Sequence, residues 1–155
     1  MMTKDTAQEC IGARSAKNDS VWLMLLWLGA AIYAISFALP AVARSDDSMR
    51  GWQCAWFALS FDQGFREPLL SFALFASGLI NPLTLAYLWI RMNGDGPRVR
   101  RVLGIVALSF IPLSWLVISS AGLKIEIGHV AWVVGLLLMM SPEAIGIARA
   151  PSVAE

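Results

Sequence analysis

Long uncharged segments rich in hydrophobic residues alternate along the chain with short charged segments. A helix needs about 18 to 20 such residues to cross a hydrocarbon layer of about 30 Å. Three segments reach this length without a single charged residue: 20–43, 68–90 and 102–123. The pattern predicts that each of them forms a membrane-spanning helix.

A fourth hydrophobic segment is interrupted by one acidic residue. It is uncharged over 127–142 and continues past Glu143 to Arg149, so a helix through Glu143 is about 20 residues long. A carboxylate near the lipid headgroups costs far less than one at the bilayer centre. The sequence therefore predicts four spans, in the order 21–43, 68–90, 102–122 and 128–148.

Composition narrows the class of protein further. Of the 155 residues, 57% are hydrophobic and 15% are charged, whereas an ordinary soluble domain carries about 25% charged residues. The net charge of only +1 argues against nucleic acid as a partner, because such binding needs a clustered basic surface. Since backbone groups in lipid must satisfy one another, we expect an all-α integral membrane protein whose main partner is the lipid bilayer.

The segments outside the four predicted spans differ in character. Residues 1–20 are polar and lack apolar periodicity, so we expect a disordered tail there, and 149–155 forms a second tail. The outer loop 44–67 contains an uncharged segment, 51–61, that is too short to cross a bilayer. The longest connection is therefore also the one most able to carry structure of its own.

Segment 51–61 places Trp52 and Trp56 on one side of a helix. Tryptophan is favoured at the level of the lipid headgroups. The sequence therefore predicts an interfacial helix on the outer surface, where the two tryptophans would contact a partner. A re-entrant hairpin is the alternative for the same segment.

Lysine and arginine predict the orientation of the helices, since loops rich in these residues stay in the cytoplasm. The first tail, the loop after the second span and the end of the chain hold eight of them, against four on the opposite side. Both termini are therefore predicted to be cytoplasmic, in a bacterial inner (plasma) membrane. Arg98, Arg100 and Arg101 contribute to this bias, and the same cluster could bind anionic lipid headgroups.

Cleavage of the first helix is an alternative that the sequence leaves open. Ala41-Val42-Ala43 resembles the small-x-small cleavage site of a signal peptide. However, the uncharged segment before it is longer than the hydrophobic region of about 7–15 residues in a typical signal peptide. We therefore expect the first helix to be retained.

Proline residues interrupt the two central spans. Pro82 cannot donate a hydrogen bond to the carbonyl group of Gly78, and Asn81 beside it is a polar amide near the bilayer centre. Pro112 interrupts the third span at a similar depth. These residues predict either a polar contact that packs helices together or, as the alternative, the lining of a transport path.

Glu126 and His129 are separated by one helical turn at the predicted start of the last span. A Glu-x-x-His pair can bind a metal in a helical bundle, but zinc normally takes three or four protein ligands. We therefore expect no metal, no cofactor and no enzymatic activity. We interpret both residues as part of the outer surface that contacts a partner.

Four short motifs follow one another along the chain: Leu39-Pro40-Ala41, Gly51-Trp52-Gln53, Asn81-Pro82-Leu83 and Gly128-His129-x-x-Trp132. In these motifs the chain resembles a set of uncharacterised small four-pass bacterial inner-membrane proteins. His129 stands where that set has tyrosine. The resemblance implies a four-helix membrane fold and no particular activity.

Three functional classes follow from these features. The first is a non-enzymatic accessory or interaction protein that acts through helix packing, with possible self-association; Gly128 and Gly135, one heptad apart, allow close helix contact. An immunity protein against a membrane-active toxin is a specific form of this class. The second is a small oligomeric transporter or channel with a polar site around Asn81 and Pro112. The third, an enzyme that uses Glu126 and His129, is not the expected one.

Overall fold

The structure, a computed structural model, describes residues 4–44, 47–60, 68–94 and 96–144. These residues form five helices and one small antiparallel sheet of three strands. The helices are α1 (Lys4–Ser36), α2 (Gly51–Leu59), α3 (Pro68–Asn93), α4 (Pro97–Ser120) and α5 (Ile127–Ala144). The strands are β1 (Pro40–Arg44), β2 (Asp47–Arg50) and β3 (Lys124–Ile125).

Two of the described helices are long and apolar enough to cross a membrane. They are α3, with 26 residues, and α4, with 24, and they contain most of the predicted spans 68–90 and 102–122. The apolar parts of α1 and α5 are shorter, Ser20–Ser36 and Ile127–Pro142. The end of the predicted fourth span and the tail 149–155 lie outside the described residues.

Helix α1 begins at Lys4, within the segment for which the sequence predicted disorder. A helix is costly to nucleate, but residues are added to an existing helix at low cost. Residues 4–19 include lysine, alanine, glutamine, glutamate and arginine, which have high helix propensity. The polar segment can therefore form helical turns that are continuous with the apolar helix after it.

The three strands correct the all-α prediction. The first span was expected to continue through residue 43, but α1 ends at Ser36, whose Oγ donates a hydrogen bond to the Tyr33 carbonyl oxygen over 2.6 Å. Pro40 has no N–H group and disfavours helical backbone in the residue before it. The chain therefore turns over 37–39 and continues as β1.

Strand β1 is the central strand of the sheet. Val42 pairs with Met49 of β2 on one side and with Ile125 of β3 on the other. The Glu126 N–H also donates to the Ala41 carbonyl oxygen over 2.9 Å. Because β3 lies between α4 and α5, the sheet ties the end of α1 to the connection between these two helices.

Helix α4 ends in a Schellman motif that leads into β3. The N–H groups of Gly122 and Leu123 donate to the carbonyl oxygens of Ser119 and Ile118, respectively. Gly122 has a φ of +64°, a conformation in which only glycine avoids a steric penalty. This turn reverses the chain so that α5 returns along the bundle.

The long helices pack in pairs, α1 against α5 and α3 against α4, and α4 and α5 join the pairs. At the α1–α5 crossing, a Cβ added to Gly135 would lie 2.8 Å from the Tyr33 backbone nitrogen and 2.9 Å from the Gly29 carbonyl oxygen. The close contact predicted for Gly135 is thus confirmed. The main core consists of Leu26, Tyr33, Ile80, Tyr87, Ala107, Trp132, Leu136, Met139 and Met140.

Candidate functional site

Helix α2 crosses the half of the bundle that carries the sheet, and its C-terminal end contacts α3 ten residues after the start of that helix. A Cβ added to Gly51 would lie 2.5 Å from the Ser36 carbonyl oxygen of α1, and one added to Gly78 of α3 would lie 2.7 Å from the Ala58 carbonyl oxygen of α2. The Tyr33 hydroxyl of α1 donates a hydrogen bond to Asn81 of α3. Ser36 and Gly78 are each three residues from one of these two partners. Both ends of α2 therefore lie at one level, and the helix crosses from α1 to α3.

The two faces of α2 have different surroundings. Trp52 and Trp56 are 54% and 73% exposed. On the opposite face, Cys54, Ala55 and Ala58 are half-buried and line a cavity beneath the helix. The helix predicted over 51–61 is confirmed as Gly51–Leu59, and its tryptophans lie on the exposed side.

The cavity beneath α2 has a volume of about 560 Å³ and lies between α2, the sheet and the ends of α1, α3, α4 and α5. Most of its lining is apolar. The uncharged side chains with nitrogen or oxygen atoms in the lining are Ser36, Ser77, Asn81, Ser114, His129 and Trp132, and the charged ones are Arg44 and Asp47. Arg44 and Asp47 are exposed on the sheet, so the described residues place no formal charge in the inner part of the cavity.

The Asn81 side chain joins three helices beside the cavity. Its Oδ1 accepts a hydrogen bond from the Tyr33 hydroxyl of α1 at 2.9 Å and another from the Trp132 indole N–H of α5 at 3.2 Å. An indole N–H can only donate, so the amide oxygen must face Trp132. The Asn81 Nδ2 group is left without a hydrogen bond to any described residue, and the side chain lines the cavity.

His129 is buried, with 7% of its surface exposed, and so does not lie on the outer surface as predicted. A Cβ added to Gly128 would lie 2.6 Å from the Pro40 carbonyl oxygen, which shows that β1 covers the start of α5. The His129 ring lies near Trp115 and Trp132, with centroid distances of 6.1 and 5.4 Å. Its Nε2 is buried without a hydrogen bond to the described part of the chain, and the imidazole lines the cavity.

The two prolines of the predicted polar site do not share a site. Both Pro82 and Pro112 are exposed, on α3 and α4 respectively. Pro82 leaves the Gly78 carbonyl group without its helical donor, at the position where α2 packs on α3. Pro112 borders a separate surface pocket, so the structure does not bring it together with Asn81.

The remaining predicted residues lie at the two ends of the bundle. Arg98 and Arg101 are exposed and Arg100 is half-buried, all in the first turns of α4, far along the chain from the residues that line the cavity. Glu126 is half-buried in the sheet layer. Among the described residues, no group of three or more His, Cys, Asp and Glu side chains could hold a metal ion.

Sequence reasoning missed Tyr33 and Trp132 as the partners of Asn81. Both are aromatic residues with one polar atom inside otherwise apolar segments, and such atoms usually have a hydrogen-bond partner when buried. This signal could have identified them, but not which amide they contact.

No protein-family model, curated protein or solved structure matches this chain. The function must therefore be inferred from the residues themselves.

Proposed function

We propose that this protein is a four-helix integral membrane protein of a bacterial inner membrane, with both termini in the cytoplasm. It acts without enzymatic chemistry, as an accessory or interaction protein. Large apolar side chains face outward on every long helix, which suits lipid as the solvent. Trp27, Leu85, Val102 and Val130, one from each of these helices, are 46% to 63% exposed.

The lengths of α1 and α5 are compatible with this proposal. The apolar part Ser20–Ser36 rises about 25 Å along its axis. A bilayer accommodates a slightly short helix by local thinning, at a modest cost per ångström. The two shorter helices can therefore cross together with α3 and α4.

The single observation that carries the proposed role is the pair of hydrogen bonds accepted by the Asn81 oxygen. These bonds join α1, α3 and α5, so the amide connects helices that the chain itself does not place next to each other. Interhelical hydrogen bonds of this kind contribute roughly 0.6–2 kcal/mol each in membrane bundles. Asn81 is thus best explained as a packing residue.

The exposed face of α2 is the proposed contact surface of the accessory protein. Trp52 and Trp56 lie on it, and tryptophan suits both the lipid interface and protein contacts. The partner would be another membrane protein or a second copy of this chain. Neutralisation of a membrane-active toxin is a specific form of the same role.

A small oligomeric transporter or channel is the second candidate function. The cavity next to Asn81 favours it, because a transport path needs a polar group beside an open space. Against it, Pro112 lies on another surface, and the described residues that line the cavity belong to the half of the bundle near the sheet.

Substitution of Asn81 by leucine tests the packing role. The change removes both hydrogen bonds and leaves the Tyr33 and Trp132 donors unpaired, so we expect a loss of about 1–3 kcal/mol in unfolding free energy. Unfolding of the purified protein in detergent, followed by circular dichroism, measures it. The matched control is Asn93→Leu at the exposed end of α3, where the amide only donates to the Trp89 carbonyl oxygen.

Equal stability of Asn81→Leu and Asn93→Leu would remove the packing explanation. Asn81→Leu protein that keeps wild-type stability but no longer conducts solutes in proteoliposomes would instead favour the transporter.

A further inference from the structure

We infer that the cavity beneath α2 binds an uncharged, lipid-soluble ring compound that bears carbonyl groups, of the quinone type. The proposed accessory role does not require such a ligand. The volume of about 560 Å³ lies within the range of about 300–1,000 Å³ that is usual for small-molecule sites. Like most such sites, the cavity combines a mainly apolar lining with a few polar groups.

The charge of the lining excludes ionic ligands from the inner part of the cavity. A carboxylate or phosphate would need a cation there, and an amine would need an acid. Among the described residues of the lining, Arg44 and Asp47 are the charged ones, and both are exposed on the sheet. Because burial of an unpaired charge is costly, the ligand that fits the inner part is neutral.

The serine hydroxyls of the lining already have acceptors within their own helices. Ser36 donates to the Tyr33 carbonyl oxygen, Ser77 to that of Leu74 over 2.7 Å, and Ser114 to that of Ile111 over 2.7 Å. These three donors are therefore not available to a ligand.

One nitrogen atom of the lining is available to a ligand. Asn81 keeps Nδ2 after its oxygen has been used by Tyr33 and Trp132, and this group forms no hydrogen bond with the described residues. The His129 Nε2 also lacks a partner among them, but protein atoms enclose it, so a ligand in the cavity does not reach it. A ligand carbonyl oxygen can accept a hydrogen bond from the Asn81 amide.

The walls of the cavity favour a flat ring. Phe37, Phe57, His129 and Trp132 contribute aromatic rings to the lining, and aromatic rings stack in offset or edge-to-face arrangements. A ring with carbonyl groups fits both the Asn81 amide and the aromatic walls.

Menadione, a methylated naphthoquinone, is the probe for this site. Its control is 2-methylnaphthalene, which has the same ring system without the carbonyl groups. Binding to the full-length protein in detergent is measured by isothermal titration calorimetry. We expect saturable binding of menadione that is at least about tenfold tighter than that of 2-methylnaphthalene, the ratio that one buried hydrogen bond provides.

Two substitutions with matched controls place the ligand in the cavity. Asn81→Leu removes Nδ2 and should weaken menadione binding about tenfold; its control is Asn93→Leu at the exposed end of α3. Ala55→Phe fills the cavity from α2 and should abolish binding; its control is Leu59→Phe on the exposed side of the same helix. Both control variants should bind menadione like the wild type.

Several results would overturn the inference. They are the absence of saturable menadione binding, equal affinity for the two compounds, or unchanged binding in either cavity variant. Should Asn81→Leu fail to give monodisperse protein, Ala55→Phe and the comparison of the two compounds still decide. A negative result here leaves the Asn81→Leu stability test, and with it the accessory role, unaffected.

Discussion

Gly135 and Gly104, two buried glycines of the bundle, differ in the space that an added Cβ would find. A Cβ at Gly135 would collide with backbone atoms of α1, which cannot move unless the helices separate. At Gly104 of α4, an added Cβ would meet the Met140 Cβ at 3.5 Å, an ordinary van der Waals contact. Only the first glycine is required by packing.

Gly135→Ala should therefore destabilise the protein, while Gly104→Ala should not. The collision with α1 is expected to cost about 1–3 kcal/mol of unfolding free energy. Alanine at 104 should instead stabilise α4 by up to about 1 kcal/mol, because glycine is a poor helix former. Thermal unfolding of both variants in one detergent measures the difference, and a Gly135→Ala variant as stable as the wild type would disprove the proposed crossing.

Cys54 is a second residue whose chemistry follows from its place on the inner face of α2. Burial raises the pKa of the Cys54 thiol above its ordinary value. Because the thiolate is the reactive form, a smaller fraction reacts at neutral pH. Iodoacetamide labelling should be slow at pH 7.5 and should accelerate only at a pH above that needed for an ordinary thiol.

The comparison thiol for this experiment is Leu59→Cys in a Cys54→Ser background, since position 59 is on the exposed side of α2. Cys10→Ser in both proteins removes the other thiol. If the two thiols show the same rate against pH, Cys54 does not face a buried cavity.

At the scale of elements, the depth of α2 in the bilayer distinguishes an interfacial helix from a re-entrant hairpin. An interfacial helix keeps Trp56 near the lipid headgroups, whereas a hairpin would carry it toward the bilayer centre. In a variant with Trp56 as its only tryptophan, lipids brominated near the headgroup should quench fluorescence more than lipids brominated near the chain end. Stronger quenching by the deep label would show that α2 descends into the bilayer.

The end of α1 is a boundary that hydropathy alone predicts wrongly. The uncharged segment through residue 43 predicts one helix, because hydropathy alone does not distinguish Ala41-Val42-Ala43 in a helix from the same residues in a strand. Pro40 was the local signal for the end of α1. The partners Met49 and Ile125, which stabilise β1, are supplied by other parts of the chain.

At the scale of the whole molecule, the proposed four crossings would place the two ends of the bundle in different compartments. The sheet and α2 lie at one end, and the connection of α3 to α4 lies at the other. Alkaline phosphatase fused after Ser60 should be active, whereas fusions after Asn93 and at the C-terminus should be inactive. A fluorescent protein at either terminus should be bright, and opposite results at the two termini would exclude an even number of crossings.

The sequence by itself determined the long apolar helices, the position of α2 and the bias of basic residues between the two ends, because these properties depend on segments read one at a time. Only the tertiary structure decided that Tyr33 and Trp132 meet at Asn81, that β1 covers His129, and that a cavity lies beneath α2. Each of these contacts joins residues from different helices or strands. These contacts form only when the helices cross at particular positions. Apolar segments with little periodicity contain no local pattern that specifies where two helices cross.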